Sequence, residues 1–468
     1  MKKFILYITF IITAFWVISC KNDDISFTEA SQELRFSKDT VKCDTVYNQI
    51  RSETYAFKVY NEENKDIIIP KIALEQSASS LYKINVDGKA GHTFSNVPLR
   101  KNDSLYIFVE IAPQTSRPEF IAVDKVIFSL KNNVQQSVTL YSVVQDAEFF
   151  IESNTHPNIL TGTHTWTKDK AKVIFGNLTL GQNAVLNIQK GTKVIFTRNS
   201  GMKLSTNAQL TTNGTYDEPV IFRGDRNDPR YDTLPKNWNA IMAENGAHLQ
   251  LNHAKIFGGN TGIILKNATA DLHNTLIHTF EEYGIYAENA TIHASNSVFN
   301  QCKNTSIALY KGGNYSFNHC TIANYWLENN SIGQGTSLYA TNEVKTASGI
   351  FEYAAMNLVI RNSIIYSSTN NAMTFKPISG QTFNYQLQHI LLNHNNNAGF
   401  ALTSNTNITQ AIANQNPLFL NTTSGKMNMR VDAHSPAKNA GNIATAQLFP
   451  TDITGNNRTA QPTLGAYQ

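Results

Sequence analysis

Three carboxylates, two guanidiniums and a phenol crowd into the eight residues from Asp225 to Asp232, with Asp225, Arg226, Asp228, Arg230, Tyr231 and Asp232 as the polar set. Carboxylates at that density can hold calcium through oxygen ligands, and guanidiniums can grip an acidic glycan. The same charges can instead knit the loop to itself, because a surface charge cluster is usually solvated and self-paired. A second group is aromatic: Tyr325, Trp326, Tyr339, Phe351 and Tyr353 fall in one stretch, and flat rings can stack on sugar faces. An excursion of that length also needs a small core of its own, for which these rings are the obvious material.

Other chemistries lack their residues. Metal-assisted elimination from a uronate needs clustered carboxylates for calcium plus a basic side chain, yet no Asp occurs between Asp271 and Asp432. Glycoside hydrolysis needs paired carboxylates, and of the Glu residues in that stretch only Glu281 and Glu282 are adjacent, where a turn would point them apart. His253, His319 and His389 suggest a metal row, but separations of 66 and 70 residues put them about three coils, or about 14 Å, apart in the repeat described below. Cys43, Cys302 and Cys320 have neither zinc spacing nor a disulfide framework and read as small buried apolar residues. A formal charge of +4 with no basic run downstream of Lys2 and Lys3 argues against a nucleic-acid partner.

The elements that must position these side chains are strands. From about Ile25 to Gln145 short runs alternate apolar and polar residues, as in Tyr55 to Tyr60 and Leu105 to Ile111. Val126 to Leu130 and Val138 to Val144 flank Asn132-Asn133, a dipeptide that tolerates positive φ and so predicts a hairpin. About seven such strands predict an immunoglobulin-like β-sandwich over residues 31–148.

Beyond Phe149 a repeat appears at a period near 22. An Asn or His recurs at His253, Asn274, Asn296, His319, Asn362 and His389, at spacings of 21, 22, 23, 43 and 27. Three residues after each comes an apolar column, Ile256, Ile277, Phe299, Ile322, Ile365 and Leu392, and a second runs through Ile263, Ile285 and Ile307. Stacked coils explain this: strands lie over strands about 4.8 Å apart, so equivalent residues form ladders, apolar inside and hydrogen-bonded at a corner. The prediction is an all-β chain whose main body, residues 149–425, is a right-handed parallel β-helix. The tripeptides Val173-Ile174-Phe175, Val194-Ile195-Phe196 and Val220-Ile221-Phe222 read as earlier coils. The 43-residue step reads as nearly two coils interrupted by an insertion over about 325–356 that projects from the stack.

At the N-terminus Lys2 and Lys3 precede an apolar run from Phe4 to Val17, too short for a membrane span of about 20 residues, and then Val17-Ile18-Ser19-Cys20. The segment resembles a bacterial lipoprotein signal, which implies removal of residues 1–19, a lipid on Cys20 and a linker over 20–30. Lys21-Asn22-Asp23-Asp24 is similar to the export tag of surface-displayed lipoproteins of the Bacteroides and Flavobacterium group.

Longer segments resemble a β-helix lipoprotein family of that group: Leu34 to Tyr47, Ile84 to Gly88, Asn102 to Ile111 and Gly214 to Trp238. Ser435 to Gly441, Asp452 to Arg458 and Leu464 to Gln468 resemble the C-terminal cap called choice-of-anchor Q, here 426–468. That family offers no catalytic residues to carry over. The resemblance implies an outer-membrane, cell-surface lipoprotein held by the lipid on Cys20. The residues add the expectation of a noncatalytic scaffold for a polysaccharide or an envelope protein, with a polysaccharide lyase or glycoside hydrolase as the alternative. Tyr325, Trp326, Tyr339 and Tyr353 are its candidate sugar-stacking residues, and calcium is the one cofactor the Asp225–Asp232 loop suggests.

Overall fold

The computed structural model describes residues 26–114, 120–153, 155, 157–226, 229–328, 331–332, 335–395 and 398–468. Cys20 and Asp228 lie outside the described residues. Among the described residues the chain is all β, with short 3-10 turns and one short α-helix, Ile443–Leu448. It divides into two compact units, Met1–Val144 and Gln145–Gln468.

The first unit holds a seven-stranded and a five-stranded sheet around one apolar core. Alternation puts the core in place: along Ser104–Ile111, Ile107, Val109 and Ile111 are buried while Tyr106 and Phe108 face out. The expected hairpin forms, with Phe120–Ser129 antiparallel to Gln135–Gln145, and both Asn132 and Asn133 take positive φ of 60° and 62°.

The second unit is a solenoid built on one 25-stranded sheet in which a strand pairs in parallel with the strand three places later, giving three ladders. Both apolar columns expected from the repeat stack in register, from Ile256 through Ile277, Phe299, Ile322 and Ile365 to Leu392, and from Ile263 through Ile285 to Ile307. All of these are fully buried. The Asn and His column has a backbone cause: His253, Asn274, Asn296, His319, Asn362 and His389 all sit at φ between 47° and 54°. Asn is among the few L-residues that enter this left-handed region readily, and His is also enriched there. The amides then link coils, Asn274 Nδ2 donating to Asn252 Oδ1 at 3.2 Å and Asn296 Nδ2 to Asn274 Oδ1 at 3.2 Å.

Four expectations change in detail. The 43-residue step is a single coil, because Thr321 and Ile322 pair directly with Ile364 and Ile365; His319 and His389 are therefore two coils apart. Nor is 325–356 one projecting insertion. Leu338–Thr341 stacks between Ile307–Leu309 and Met373–Lys376, and among the described residues the small hairpins Leu327–Glu328 with Ser331–Ile332 and Glu343–Lys345 with Phe351–Tyr353 pair outside the large sheet. Among the earlier coils Val173 pairs with Ile195 and Val194 with Phe222, so the registers are one and two residues from those read by matching tripeptides. Finally, the C-terminal segment covers the flank of one ladder. Gly465 N donates to Asn362 O at 2.9 Å, Ala466 N to Thr321 Oγ1 at 3.1 Å, and Thr451 O accepts from Asn296 Nδ2 at 3.0 Å.

Candidate binding face

The ladder through Asn177–Leu180, Gly201–Leu204, Ile241–Glu244, Ile263–Lys266, Leu338–Thr341 and Met373–Lys376 presents its outer side to solvent. Its inward columns are aliphatic and aromatic, so period-two alternation fixes which residues point out. The outward column runs Thr179, Lys203, Met242, Ile264, Tyr286, Ala308, Tyr339 and Thr374, each paired with the next. From Lys203 to Thr374 it extends about 30 Å at the strand spacing. Beside it runs a second outward column, Glu244, Lys266, Glu288 and Tyr310.

At the early end this face opens into a groove of about 500 Å³, within the size range of small-molecule sites. Asn177, Lys203, Asn239, Asn260, Thr261 and Glu282 supply its polar lining, Met242 and Ile264 its apolar floor. Gly201 is needed there: a Cβ at that position would meet Ala240 O at 2.9 Å. Asn260 Nδ2 donates to Asn239 Oδ1 at 3.2 Å, and Thr261 Oγ1 to Glu282 at 3.4 Å. Among the described residues Glu282 is the one carboxylate lining the groove. Nearby Glu244 is held by Lys203 at 2.8 Å.

At the late end the rings of Tyr283, Tyr286, Tyr310 and Tyr339 follow one another with centroids 5.4, 5.2 and 5.3 Å apart. Ala308 is the reason they meet. It occupies the outward position between Tyr286 and Tyr339, is fully buried, and leaves room for the neighbouring rings. Tyr286 OH donates to Glu288 at 2.8 Å, and the Lys376 ammonium lies 5.7 Å from the Tyr339 ring centre. Burial pushes the hydroxyls of Tyr286, Tyr310 and Tyr339 above the ordinary phenol value, and for Tyr286 the bond to Glu288 adds to that. The rings are therefore neutral, half-buried and held by packing.

The residues expected to stack on sugars divide. Tyr339 belongs to this row. Tyr325 and Trp326 do not: Tyr325 packs against Tyr366 at 6.5 Å and Phe419 at 6.0 Å, and Trp326 is buried. Tyr325 thus packs on partners from outside the 325–356 stretch rather than in a small core of its own. Tyr353 stands exposed on the second small hairpin, with no ring contact to the row among the described residues. Sequence reasoning missed Tyr283, Tyr286 and Tyr310, whose signal was an outward position on consecutive coils.

In the Asp225–Asp232 loop, Pro229–Thr233 forms a 3-10 turn. Arg226 donates to Tyr231 OH at 2.8 Å, the Arg226 and Arg230 guanidiniums lie 4.7 and 5.1 Å from the Tyr231 ring centre, and Arg223 pairs with Asp232 at 2.7 Å. The loop is thus tied together by its own charges. Asp225, Arg226 and Tyr231 also line a hollow of about 290 Å³ with Arg198, Lys236 and Asn237. Its described lining carries three cations and one carboxylate, and among the described residues no three His, Cys, Asp or Glu side chains gather to hold a metal. Trp238, just beyond, is fully buried between Phe196 and Phe280.

No helix among the described residues is long and apolar enough to cross a membrane. No family model matches the chain, and no curated protein does. Solved structures similar to part of it include a protein of unknown function from Porphyromonas gingivalis W83, 14% identical over 28% of this chain and 59% of that one, at a TM-score of 0.18. The PapD-like domain of human CEP192 is 10% identical over 28% of this chain and 98% of its own, at 0.17. A family 123 glycoside hydrolase from Clostridium perfringens is 9% identical over 29% and 30%, at 0.20. Similarities this slight carry no functional argument.

Proposed function

We propose that this chain is a noncatalytic, glycan-binding surface lipoprotein, anchored through a lipid on Cys20, in which an immunoglobulin-like β-sandwich precedes a right-handed parallel β-helix. The three-ladder parallel sheet and its 22-residue repeat support the β-helix reading, and the pair of sheets around one core supports the sandwich. The observation that carries the binding reading is the open ladder itself: a row of tyrosines continuous with an amide-lined groove that offers one carboxylate. Hydrolysis by a carboxylate pair needs two such groups about 5–9.5 Å apart. Aromatic faces beside convergent amides are instead what a sugar-binding surface uses.

The test is incubation of the purified protein with neutral and acidic polysaccharides, with calcium and then with a chelator, following new reducing ends and unsaturated uronates. The expected result is retention on a polymer without either product. Product formation would replace this reading with a polysaccharide lyase or glycoside hydrolase. Absence of both product and retention would move the assignment to an envelope-protein partner.

A further inference from the structure

We infer that the open ladder takes a neutral polysaccharide chain lying along the solenoid axis, its rings against Tyr286, Tyr310 and Tyr339 and its hydroxyls at Asn239, Asn260 and Glu282. This deepens the binding reading above and rests on it.

Charge selects the ligand class. Lys203 is paired with Glu244 at 2.8 Å, Lys266 with Glu288 at 3.4 Å and Lys311 with Glu352 at 2.5 Å, so these three lysines are already neutralised, while Lys376 lies over the Tyr339 ring, 5.7 Å from its centre. Among the described residues Glu282 makes no ion pair, and its carboxylate would repel a uronate. The hollow lined by Arg198, Arg226 and Lys236 has the opposite balance and shows what an anion-attracting surface on this same chain looks like. Neutral hydroxyls need groups that both donate and accept, which amides provide at Asn239 and Asn260.

Geometry selects the direction. Tyr286, Ala308 and Tyr339 are successive rungs of one column, so the aromatic strip runs from coil to coil and meets the groove at Ile264, the rung before Tyr286. An extended chain following that column touches the groove and the tyrosines together; a compact oligosaccharide reaches one or the other. The phenols stay protonated well above neutrality, so the contact surface keeps its charge.

The test is retention of the full protein on unbranched glucan, mannan and xylan, and on polygalacturonate and alginate, beside four variants. Wild type is expected to be retained on a neutral polymer. Tyr286→Ala and Tyr310→Ala should each weaken retention by about tenfold. Asn260→Ala combined with Glu282→Gln, two changes outside the core, should weaken it severalfold. Leu448→Ala, an exposed change on the short C-terminal helix, should leave it unchanged, and thermal melts would show that the variants remain folded. Retention on acidic polymers alone would overturn the inference. Neutral-polymer retention untouched by the tyrosine and amide variants would also overturn it while leaving the binding reading standing. No retention of wild type on any polymer would remove both.

Discussion

On one ladder of the solenoid the outward column Leu276, Val298, Thr321, Ile364 and Leu391 lies beneath the C-terminal segment. On another the outward column Met242, Ile264, Tyr286, Ala308 and Tyr339 is left to solvent. Both columns are apolar enough to need cover. The covered one is aliphatic and flat, so a segment of the same chain seals it with Met429, Ile453, Leu464 and Ala466. The open one is finished in tyrosine, whose rings shield one another and keep a polar edge toward water. Among the described residues one apolar strip is covered by the chain itself and the other is left open, a contrast that supports the binding surface proposed above. The covered ladder should therefore answer to changes in stability and the open one to changes in binding.

The strongest way to break that comparison is at Arg458. Its buried guanidinium donates to Gly465 O at 3.0 Å, to Ala466 O at 3.1 Å and to His319 Nδ1, tying the C-terminal segment to the corner of a coil. Arg458→Ala leaves those acceptors buried without partners and opens a cavity, at a cost of about 3–5 kcal/mol. Urea unfolding would measure it. A loss below about 1 kcal/mol would mean that the segment contributes little to the solenoid.

A second test is pH. Burial, then the neighbouring Arg458 charge, depress His319 to about 2. The unfolded chain gains a proton near pH 6.5 that the folded state refuses, so this contribution to stability is intact above about pH 6.5 and falls by about 1.4 kcal/mol per pH unit below it. Half-buried His278, depressed to about 4 by desolvation and then Lys255, acts in the same sense. Melts at pH 7 and pH 5 should differ, and His319→Asn should flatten the difference. An unchanged slope in that variant would assign the acid sensitivity to His278 and the remaining histidines.

On the open ladder the expected stability effects are smaller. Tyr310→Ala removes a half-buried ring in contact with Tyr286 and Tyr339 and should cost about 1–2 kcal/mol, less than half the cost at Arg458, while removing most retention on polysaccharide. Equal losses at the two sites would erase the distinction between them.

How much of this was legible in the sequence follows from register. The column through Ile256 was readable because an Asn or His recurs three residues before each of its members and marks the register, and the column through Ile263 recurs at the same 22-residue period. The Val-Ile-Phe tripeptides misled because three consecutive apolar residues hold no alternation by which to detect a slip. The tyrosine row was hidden for a related reason: Tyr310 does not follow Tyr286 in its column but stands two residues beyond Ala308, in the neighbouring one. Its separation from Tyr286 is therefore not a repeat length. Tyr325 looked like part of a ligand surface because the packing of Phe419 against it leaves no trace in its own neighbourhood. The loop at Asp225 was legible as a charge cluster but not as to sign, since Arg198 and Lys236 reach it from other turns.

The finest test uses two asparagines with the same backbone and different surroundings. Asn289 takes φ 45° beside the open ladder, and its amide donates to Asn267 Oδ1 at 2.8 Å at the surface. Asn296 takes φ 50° beside the covered ladder and is nearly buried, and its amide reaches both Asn274 Oδ1 and Thr451 O. Glycine satisfies the left-handed conformation at either position, so substitution isolates the side-chain bonds from backbone strain. Asn289→Gly should cost only a few tenths of a kcal/mol, because water replaces one exposed bond. Asn296→Gly should cost about 1–2 kcal/mol, because Thr451 O and Asn274 Oδ1 lose a donor where water reaches poorly. Replacing both by Ala adds about 1–2 kcal/mol of strain at each, equally. Chemical denaturation of the four variants separates the terms. A Gly pair that differs shows that the C-terminal segment, rather than the coil corner itself, makes the covered flank the more demanding of the two.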